Sequence, residues 1–137
     1  MPPIEITCPP SFEPDEWEAH KRDARYIIWQ RGRGELDVHH GYLAGQLGLF
    51  NYAKNYFSVL DAVSVEEDAA GGPMVTALVT AIGSEVPGGR FFELAEKLGH
   101  EVEDRAEFAL AMRQWSIDWI RVHPERAQIN TADGQTG

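Results

Sequence analysis

The spacing of apolar residues along the chain predicts a protein made mostly of helices. In the first long segment, the apolar positions that lie close to helical spacing are Trp17, Ala24, Ile27 and Ile28. One side of this segment should therefore face a core. Because proline is tolerated in the first turn of a helix and glycine is common just past the last turn, the helix is predicted to begin at Pro14 and to end at Gly32.

The middle of the chain predicts a very short strand and several short helices. Polar and apolar residues alternate over 35–38, as they do in a strand with one buried face. Helical spacing returns over about 40–47 and over about 51–63. Ser64 stands three residues before Glu67, and this is the spacing of a capping box, so a further helical turn is predicted to begin at Ser64.

The second half of the chain contains the best predicted strand and two further helices. Residues 74–82 are rich in β-branched side chains and carry no charge, which indicates a strand covered on both faces. A short helix is predicted over 91–98, and a capping pair, Asp104 with Glu107, then opens a long helix that Pro124 ends. The apolar stripe of this last helix is predicted to consist of Phe108, Met112, Trp115, Trp119 and Val122.

These elements predict a single α+β domain over 14–124, mostly helical and with a small sheet. An irregular proline-rich arm, 1–13, should precede it, and a disordered tail, 125–137, should follow it. Up to the predicted strand, the order of elements is partly winged-helix-like. That strand needs a pairing partner, and the candidates are residues 35–38 and residues 4–7.

Composition and charge narrow the class of protein. The 137 residues carry a formal net charge of −10, which on average repels nucleic acid and anionic membranes. A single cysteine, Cys8, excludes an intrachain disulfide. The first residues lack the basic and apolar regions of a signal peptide, and no apolar run is long enough to span a bilayer. We therefore predict a cytoplasmic protein that does not bind membranes.

The charges are segregated along the chain. Basic residues are concentrated over 21–33, whereas acidic residues dominate 61–68 and 93–107. The basic stretch either contacts phosphates or lies on the outside of the first helix with some arginines paired to the acidic half. Trp29 follows Ile28 directly, so both cannot face one core, and the one that points outward is available to an interface. The residues predicted to contact a partner are Trp29, Arg31, Arg33, Glu66, Glu67 and Asp68.

A histidine pair is the most reactive-looking cluster in the sequence. His39 and His40, with Glu35 and Asp37 close by, carry the side-chain types that bind a divalent metal, although adjacent residues do not point the same way. The alternative is a histidine that caps a helix or lies exposed. No nucleophile stands beside a placed base and no nucleotide-binding loop is present, so we predict no catalytic residue and no cofactor.

The turn that precedes the helix over 91–98 is a candidate ligand site. Backbone N–H groups of Gly88 and Gly89 could cradle an anion at the start of that helix, with Arg90 adding positive charge. The alternative is a tight connection in which Phe91 and Phe92 fill the core.

A sequence pattern runs through the same region. Gly71-Gly72-Pro73 leads into the predicted strand, Pro87 to Phe92 form the turn, and Leu94 to Gly99 end the helix. This resembles the glycine-basic-proline strand, Pro-Gly-x-Gly-Phe-Phe turn and Leu-Ala-x-x-Leu-Gly helix end of small bacterial proteins, many of them actinobacterial. Here Gly72 stands where a basic residue is common, and Arg90 where glycine is common. The resemblance implies a shared fold and a bacterial origin, but no activity, because none is established for that group.

Two classes of function remain open. The first is a non-enzymatic binding protein of the immunity, antitoxin or inhibitor type, in a bacterium or its mobile elements, which uses an exposed acidic surface over 61–68 or 93–107 to engage a basic protein. The second is a metal-assisted phosphoester hydrolase or small anion binder, which requires the His39/His40 region and Arg90 to meet in one cleft. A winged-helix-like nucleic-acid binder is a weaker third hypothesis, since the predicted second and third helices carry only Lys54 as a full positive charge.

Overall fold

The computed structural model describes residues 4–50 and 53–127. The elements of this part are, in chain order, α1 (Pro14–Arg33), β1 (Val38–His39), α2 (His40–Leu47), α3 (Lys54–Ala69), a first 3₁₀ helix (Val75–Leu78), β2 (Val79–Thr80), α4 (Gly89–Lys97), α5 (Arg105–Val122) and a second 3₁₀ helix (Pro124–Ala127). The prediction of a mostly helical α+β fold with a small sheet is confirmed. No helix of the described part is both long enough and apolar enough to cross a membrane.

The core has two connected parts. In the larger part α1 packs against α3 and α5, and the first 3₁₀ helix lies against α3 and α5. Its largest fully buried side chains include Trp29, Tyr56 and Ile117. The smaller part lies under α4 and contains Met74, Phe91, Phe92 and Met112 among others. Burial of such side chains contributes about 1.5–3 kcal/mol each, which is the main stabilisation of a domain of this size.

The segment 74–82 is not the continuous strand that its composition predicts. Val75–Leu78 form a 3₁₀ helix, and only Val79 and Thr80 are extended and paired. The expected burial is present from Met74 to Thr80, but Ile82, at the end of the predicted strand, is 84% exposed. Buried backbone N–H and C=O groups need hydrogen-bond partners. The neighbouring strand is only two residues long, so most of this segment forms bonds within itself and not across a sheet. One of these is the bond from Ala77 N to Met74 O (3.0 Å).

The sheet joins the two short strands in parallel. Val38 pairs with Val79 and His39 with Thr80. Of the two predicted partner segments, the one that ends at Val38 therefore supplies the pairing. The parallel direction differs from the antiparallel hairpin of a wing, so the likeness to a winged helix is limited to the order of the elements.

The third helix is longer than the sequence predicts. α3 runs without a break through Ser64, so the prediction of a new helical turn at that residue is wrong. The Ser64 hydroxyl lies 2.6 Å from Thr76 Oγ1 and accepts a bond from Thr76 N (3.4 Å). It therefore ties α3 to the first 3₁₀ helix instead of capping a helix. The predicted start of this helix at residue 51 lies outside the described residues.

The first and last long helices are close to their predicted extents. α1 begins at Pro14 with a capping box between Glu13 and Glu16. The predicted cap of α5 is confirmed, because Asp104 accepts a bond from Glu107 N (3.1 Å). The predicted stripe of α5 is wrong at two of its positions, since Trp115 and Val122 are 42% and 68% exposed. The buried positions of α5 are Ala109, Met112, Ser116, Ile117 and Ile120.

The two ends of the described chain pack onto the helices. Residues 4–13 contain no helix or strand, and Phe12 is buried against the ring of Trp17. At the other end, the first residues of the predicted tail, 125–127, belong to the second 3₁₀ helix, and Ala127 is buried in the core. Residues 128–137 of that tail lie outside the described residues.

Candidate functional site

A buried ion network joins α1, α3, α5 and the second 3₁₀ helix. Its centre is Glu67, whose side chain has no exposed surface. The Glu67 carboxylate accepts bonds from Arg25 Nε (2.9 Å), from Arg126 Nε and Nη2 (3.0 and 2.7 Å) and from Trp119 Nε1 (3.1 Å). The prediction that Glu67 contacts a partner is therefore wrong, because both of its oxygens are occupied inside the protein.

The acidic neighbours of Glu67 also bind within the molecule. Glu66 accepts bonds of 2.6 Å from Lys21 Nζ and from Arg25 Nη2. Burial by itself raises the pKa of Glu66, but the hydrogen bonds from these two cations outweigh it and hold the pKa below its ordinary value. Asp68 Oδ1 lies 3.1 Å from His100 Nε2. Glu66 and Asp68, which were predicted to contact a partner, are thus partly covered by internal pairs.

The basic segment of α1 supplies much of this internal pairing. Lys21 and Arg25 are buried in the network, and Arg22 pairs with Asp23 (3.1 Å). Trp29, predicted to lie at an interface, is only 1% exposed, and its Nε1 donates to the carbonyl of His123 (3.0 Å). A side chain in that position fastens α1 to the end of α5 and cannot reach a partner.

Arg31 and Arg33 are the two predicted partner residues of α1 that stay near the surface. Neither forms an ion pair within the part of the chain that the structure describes. Arg33 is exposed, whereas Arg31 is half-buried and lies over the ring of Tyr42.

A cluster of exposed negative charge lies over residues 93–107, which cover most of α4, the loop after it and the start of α5. The acidic residues of 93–107, all of them exposed, are Glu93, Glu96, Glu101, Glu103, Asp104 and Glu107. We call this set the acidic surface. None of its members forms an ion pair with a described residue.

Part of the acidic surface is concave. Glu101, Glu103, Asp104 and Glu107 line a shallow depression of ≈ 350 Å³ together with the half-buried ring of Phe108. Over residues 93–107 these acids outnumber the bases by six to two, the bases being Lys97 and Arg105. The guanidinium of Arg105 lies 4.9 Å from the ring of Phe92, so one of the two bases is stacked on the protein itself.

A small cleft brings together residues from the two regions that carried candidate chemistry. His40, at the start of α2, and Arg90, in the first turn of α4, both line a cleft of ≈ 50 Å³. Gly88 and Asp61 line it as well. Arg90 donates to Asp61 Oδ2 from Nη2 (2.9 Å) and from Nε (3.2 Å). Gly89 does not line this cleft; it is the first residue of α4.

Burial changes the protonation of two groups in this cleft. Burial raises the pKa of Asp61, and the nearby cations Arg90 and Lys97 offset part of that rise. Burial also lowers the pKa of His40, whose Nδ1 lies 2.7 Å from Tyr56 Oη. The lowered pKa favours the neutral form of the imidazole, and the ion pair of the cleft is the one between Arg90 and Asp61.

The arrangement of the histidine pair does not favour a metal site. His39 occupies the extended N-cap position of α2, and its Nδ1 is buried with no hydrogen-bond partner. Asp37 and Glu35 are bound to Arg113 (2.9 Å) and Arg121 (2.8 Å). Within residues 4–50 and 53–127, no group of three or more His, Cys, Asp and Glu side chains could hold a metal ion.

The sequence predicts that some arginines of the first helix pair with the acidic half, but it places them on the outside of the helix, so the burial of the ion network is the feature that was missed. Lys21 and Arg25 lie four and eight residues after Trp17, on the stripe of α1 that was already predicted to face the core. A cation on a core-facing stripe requires an acidic partner inside the protein, so this spacing was the available signal. The identity of the partner, in α3, follows only from the packing of the helices.

Comparison of the chain with protein-family models, with curated proteins and with solved structures finds no match in any of the three.

Proposed function

We propose that this protein is a non-enzymatic binding protein whose acidic surface engages a basic protein, in the manner of an immunity protein, antitoxin or inhibitor of a bacterium or its mobile elements. One observation carries the proposal. Asp61, Glu66 and Glu67 are paired with cations of the same chain and Asp68 lies at hydrogen-bond distance from His100, whereas the six acids of the acidic surface form no ion pair among the described residues.

An unmatched cluster of like charges does not stabilise a fold, because its members repel one another. It does raise the rate at which a basic partner is captured and helps to exclude acidic competitors. The depression beside Phe108 adds an apolar centre with a charged rim, which is the usual composition of a protein interface. These features together support recognition of a protein.

The partner class follows from the sign of the charge. Nucleic acid is repelled by the acidic surface, and Lys21, Arg22 and Arg25 of the basic segment are already paired with acids of the same chain. A basic protein, in contrast, supplies the cations that the acidic surface lacks.

Affinity capture from a lysate of the host organism tests the proposal when it uses three forms of the protein. The test variant carries Glu101→Gln, Glu103→Gln and Glu107→Gln, and leaves the capping residue Asp104 intact. A matched control carries the same change at three exposed acids elsewhere, Glu5, Glu85 and Glu125.

We expect the wild type and the control to retain the same basic protein and the test variant to lose it. Retention of one and the same protein by all three forms, or retention only of acidic proteins, would contradict the proposal. Both variants change the net charge by the same amount, so a difference between them reports position and not total charge.

A second candidate function is the binding of a small anion in the cleft. The specific observation in its favour is that His40, Arg90 and Gly88 line the same cleft at the start of α4. Arg90 would exchange Asp61 for the ligand, and this competition predicts weak binding. A titration with inorganic phosphate, followed by the NMR signals of the wild type and of Arg90→Gln, tests it; equal shifts in the two proteins would exclude the cleft.

A further inference from the structure

A groove between α1 and α2 shares no lining residue with the acidic surface or with the cleft. Its volume is ≈ 390 Å³, within the size range of small-molecule sites. The α1 wall contains Tyr26, Gln30 and Arg31, the α2 wall contains Tyr42, and Leu36 lies in the connection between them. Tyr26, Leu36 and Tyr42 are large apolar side chains that remain 50%, 52% and 47% exposed.

Hydrogen bonds fix the walls of this groove. Gln30 Nε2 donates to Tyr26 Oη (2.7 Å), one turn back along α1. The backbone N–H of Leu36 donates to the carbonyl of Arg31 (3.0 Å), which holds the connection against the end of the helix. A site with fixed walls loses little conformational entropy when it binds a ligand.

Arg31 is the one charged residue in the lining of this groove. Its guanidinium carbon lies 5.1 Å from the centre of the Tyr42 ring, a cation–π distance. Its Nε is buried and has no hydrogen-bond partner among the described residues, and its guanidinium forms no ion pair with any of them. Arg31 is half-buried, so its guanidinium keeps unused donors at the wall of the groove, and a group outside the described residues has to supply their acceptor.

The shape and chemistry of the missing acceptor can be read from these groups. A carboxylate accepts two parallel bonds from the two Nη atoms of an arginine, and the hydrogen bonds of the described residues include none donated by the Arg31 guanidinium. The tyrosine rings and Leu36 offer contact to a flat apolar body attached to that carboxylate. The absence of any acid from the lining leaves nothing in the groove to compete for Arg31.

We propose that this groove binds a planar aromatic carboxylate, with the carboxylate on Arg31 and the ring against Tyr26, Leu36 and Tyr42. The same chemistry is offered by a free aromatic acid and by the C-terminus of a peptide that ends in an aromatic residue. This site is independent of the acidic surface and does not require the basic partner.

Titration of the ¹⁵N-labelled full chain tests the proposal. The probes are benzoate, its neutral counterpart benzyl alcohol, and the peptide acetyl-Gly-Gly-Phe with either a free or an amidated C-terminus. The observed signals are Arg31 Nε–H and the backbone amides of Leu36 and Tyr42. We expect saturable shifts with benzoate and at least tenfold weaker binding of benzyl alcohol, and the peptide pair reports whether a C-terminus serves as well as a free acid.

Two variants locate the binding group. Arg31→Gln should abolish the benzoate shifts at Leu36 and Tyr42. Arg31→Lys keeps the positive charge but loses the planar set of N–H donors, so it should weaken binding about tenfold. Arg33→Gln is the control, because Arg33 is an exposed arginine two residues away that lies outside the groove lining.

Three results would overturn the proposal. The first is equal affinity for benzoate and benzyl alcohol. The second is benzoate binding as strong as that of the wild type in both single variants, Arg31→Lys and Arg31→Gln. The third is inorganic phosphate shifting Arg31 Nε–H as strongly as benzoate at the same concentration, since this would mean that the groove recognises any anion.

Discussion

Glu67 is a carboxylate that is enclosed by two arginines and a tryptophan and has no contact with water. Desolvation of so many charges is costly, and their mutual attraction repays this only while every partner is present. The network therefore contributes little net free energy as a whole, yet the loss of Glu67 removes the carboxylate that both arginines share. Its effect is to specify how α1, α3 and the C-terminal segment fit together.

Replacement of Glu67 by glutamine should lower the free energy of unfolding by about 3–5 kcal/mol. Arg126 would then lose its ion-pair partner, and Arg25 would keep only its pair with Glu66. Urea unfolding followed by circular dichroism measures the change. Glu103→Gln, at an exposed residue with no ion pair to a described residue, is the control and should change stability by less than about 0.5 kcal/mol. A loss of similar size in both variants would show that Glu67 is not the centre of a network.

His40 should make stability depend on pH. Burial holds its folded pKa below the ordinary value of 6.5, so the unfolded chain takes up the proton first as the pH falls. The associated stability is complete above about pH 6.5 and is lost as the pH falls through that value towards the folded pKa. The free energy of unfolding should therefore drop less between pH 7.5 and 5.5 in His40→Gln than in the wild type, and equal drops would contradict this.

Gly72 is required by a close contact. A methyl group at this position would lie 2.5 Å from the indole of Trp119, which itself binds Glu67. Gly72→Ala should therefore destabilise the protein by about 1–3 kcal/mol. The control is Gly45→Ala, since a methyl group at Gly45 in α2 meets open space and alanine favours the helix. Thermal melts compare the two variants. Equal stability of Gly72→Ala and Gly45→Ala would show that the Trp119 indole does not restrict the size of the residue at position 72.

At the scale of whole elements, the amphipathic helices were the easiest part to predict. Pro14 and Asp104 mark helix starts through local chemistry, and both starts are where the sequence places them. Ser64 and the segment 74–82 were predicted wrongly because their state depends on neighbours. Ser64 has the local signature of a cap but is held inside α3, and 74–82 has a strand composition because its residues 74–80 are buried.

The bond between Ser64 and Thr76 connects α3 to the first 3₁₀ helix and can be tested by truncation. Ser64→Ala would leave the buried Thr76 hydroxyl and N–H without their partner, at a cost of about 1–3 kcal/mol. Ser58→Ala on the same helix is the matched control, because among the described residues the Ser58 hydroxyl donates to a carbonyl of its own helix, that of Lys54. Chemical denaturation of both variants is the measurement, and equal stability of the two would mean that the 3₁₀ helix does not need this tie.

At the scale of the whole molecule, the net charge of −10 is unevenly spread. Cations of α1 pair with acids of α3, whereas residues 93–107 carry six acids against two bases, and these six acids form no ion pair within the described part of the chain. The sequence indicates the segregation of charge, and it indicates 93–107 as one of two candidate acidic surfaces. It could not distinguish 93–107 from 61–68, because only the fold brings Lys21, Arg25 and Arg90 to the latter.

The most direct test of the proposed function is the affinity of the captured basic protein for three forms of this chain, measured by calorimetry at 50 and 200 mM salt. The account predicts that Glu101→Gln/Glu103→Gln/Glu107→Gln weakens binding at least tenfold at low salt and reduces the salt dependence. It also predicts that Glu5→Gln/Glu85→Gln/Glu125→Gln binds like the wild type. Equal affinities of the two triple variants, with the same response to salt, would contradict the assignment of the partner to the acidic surface.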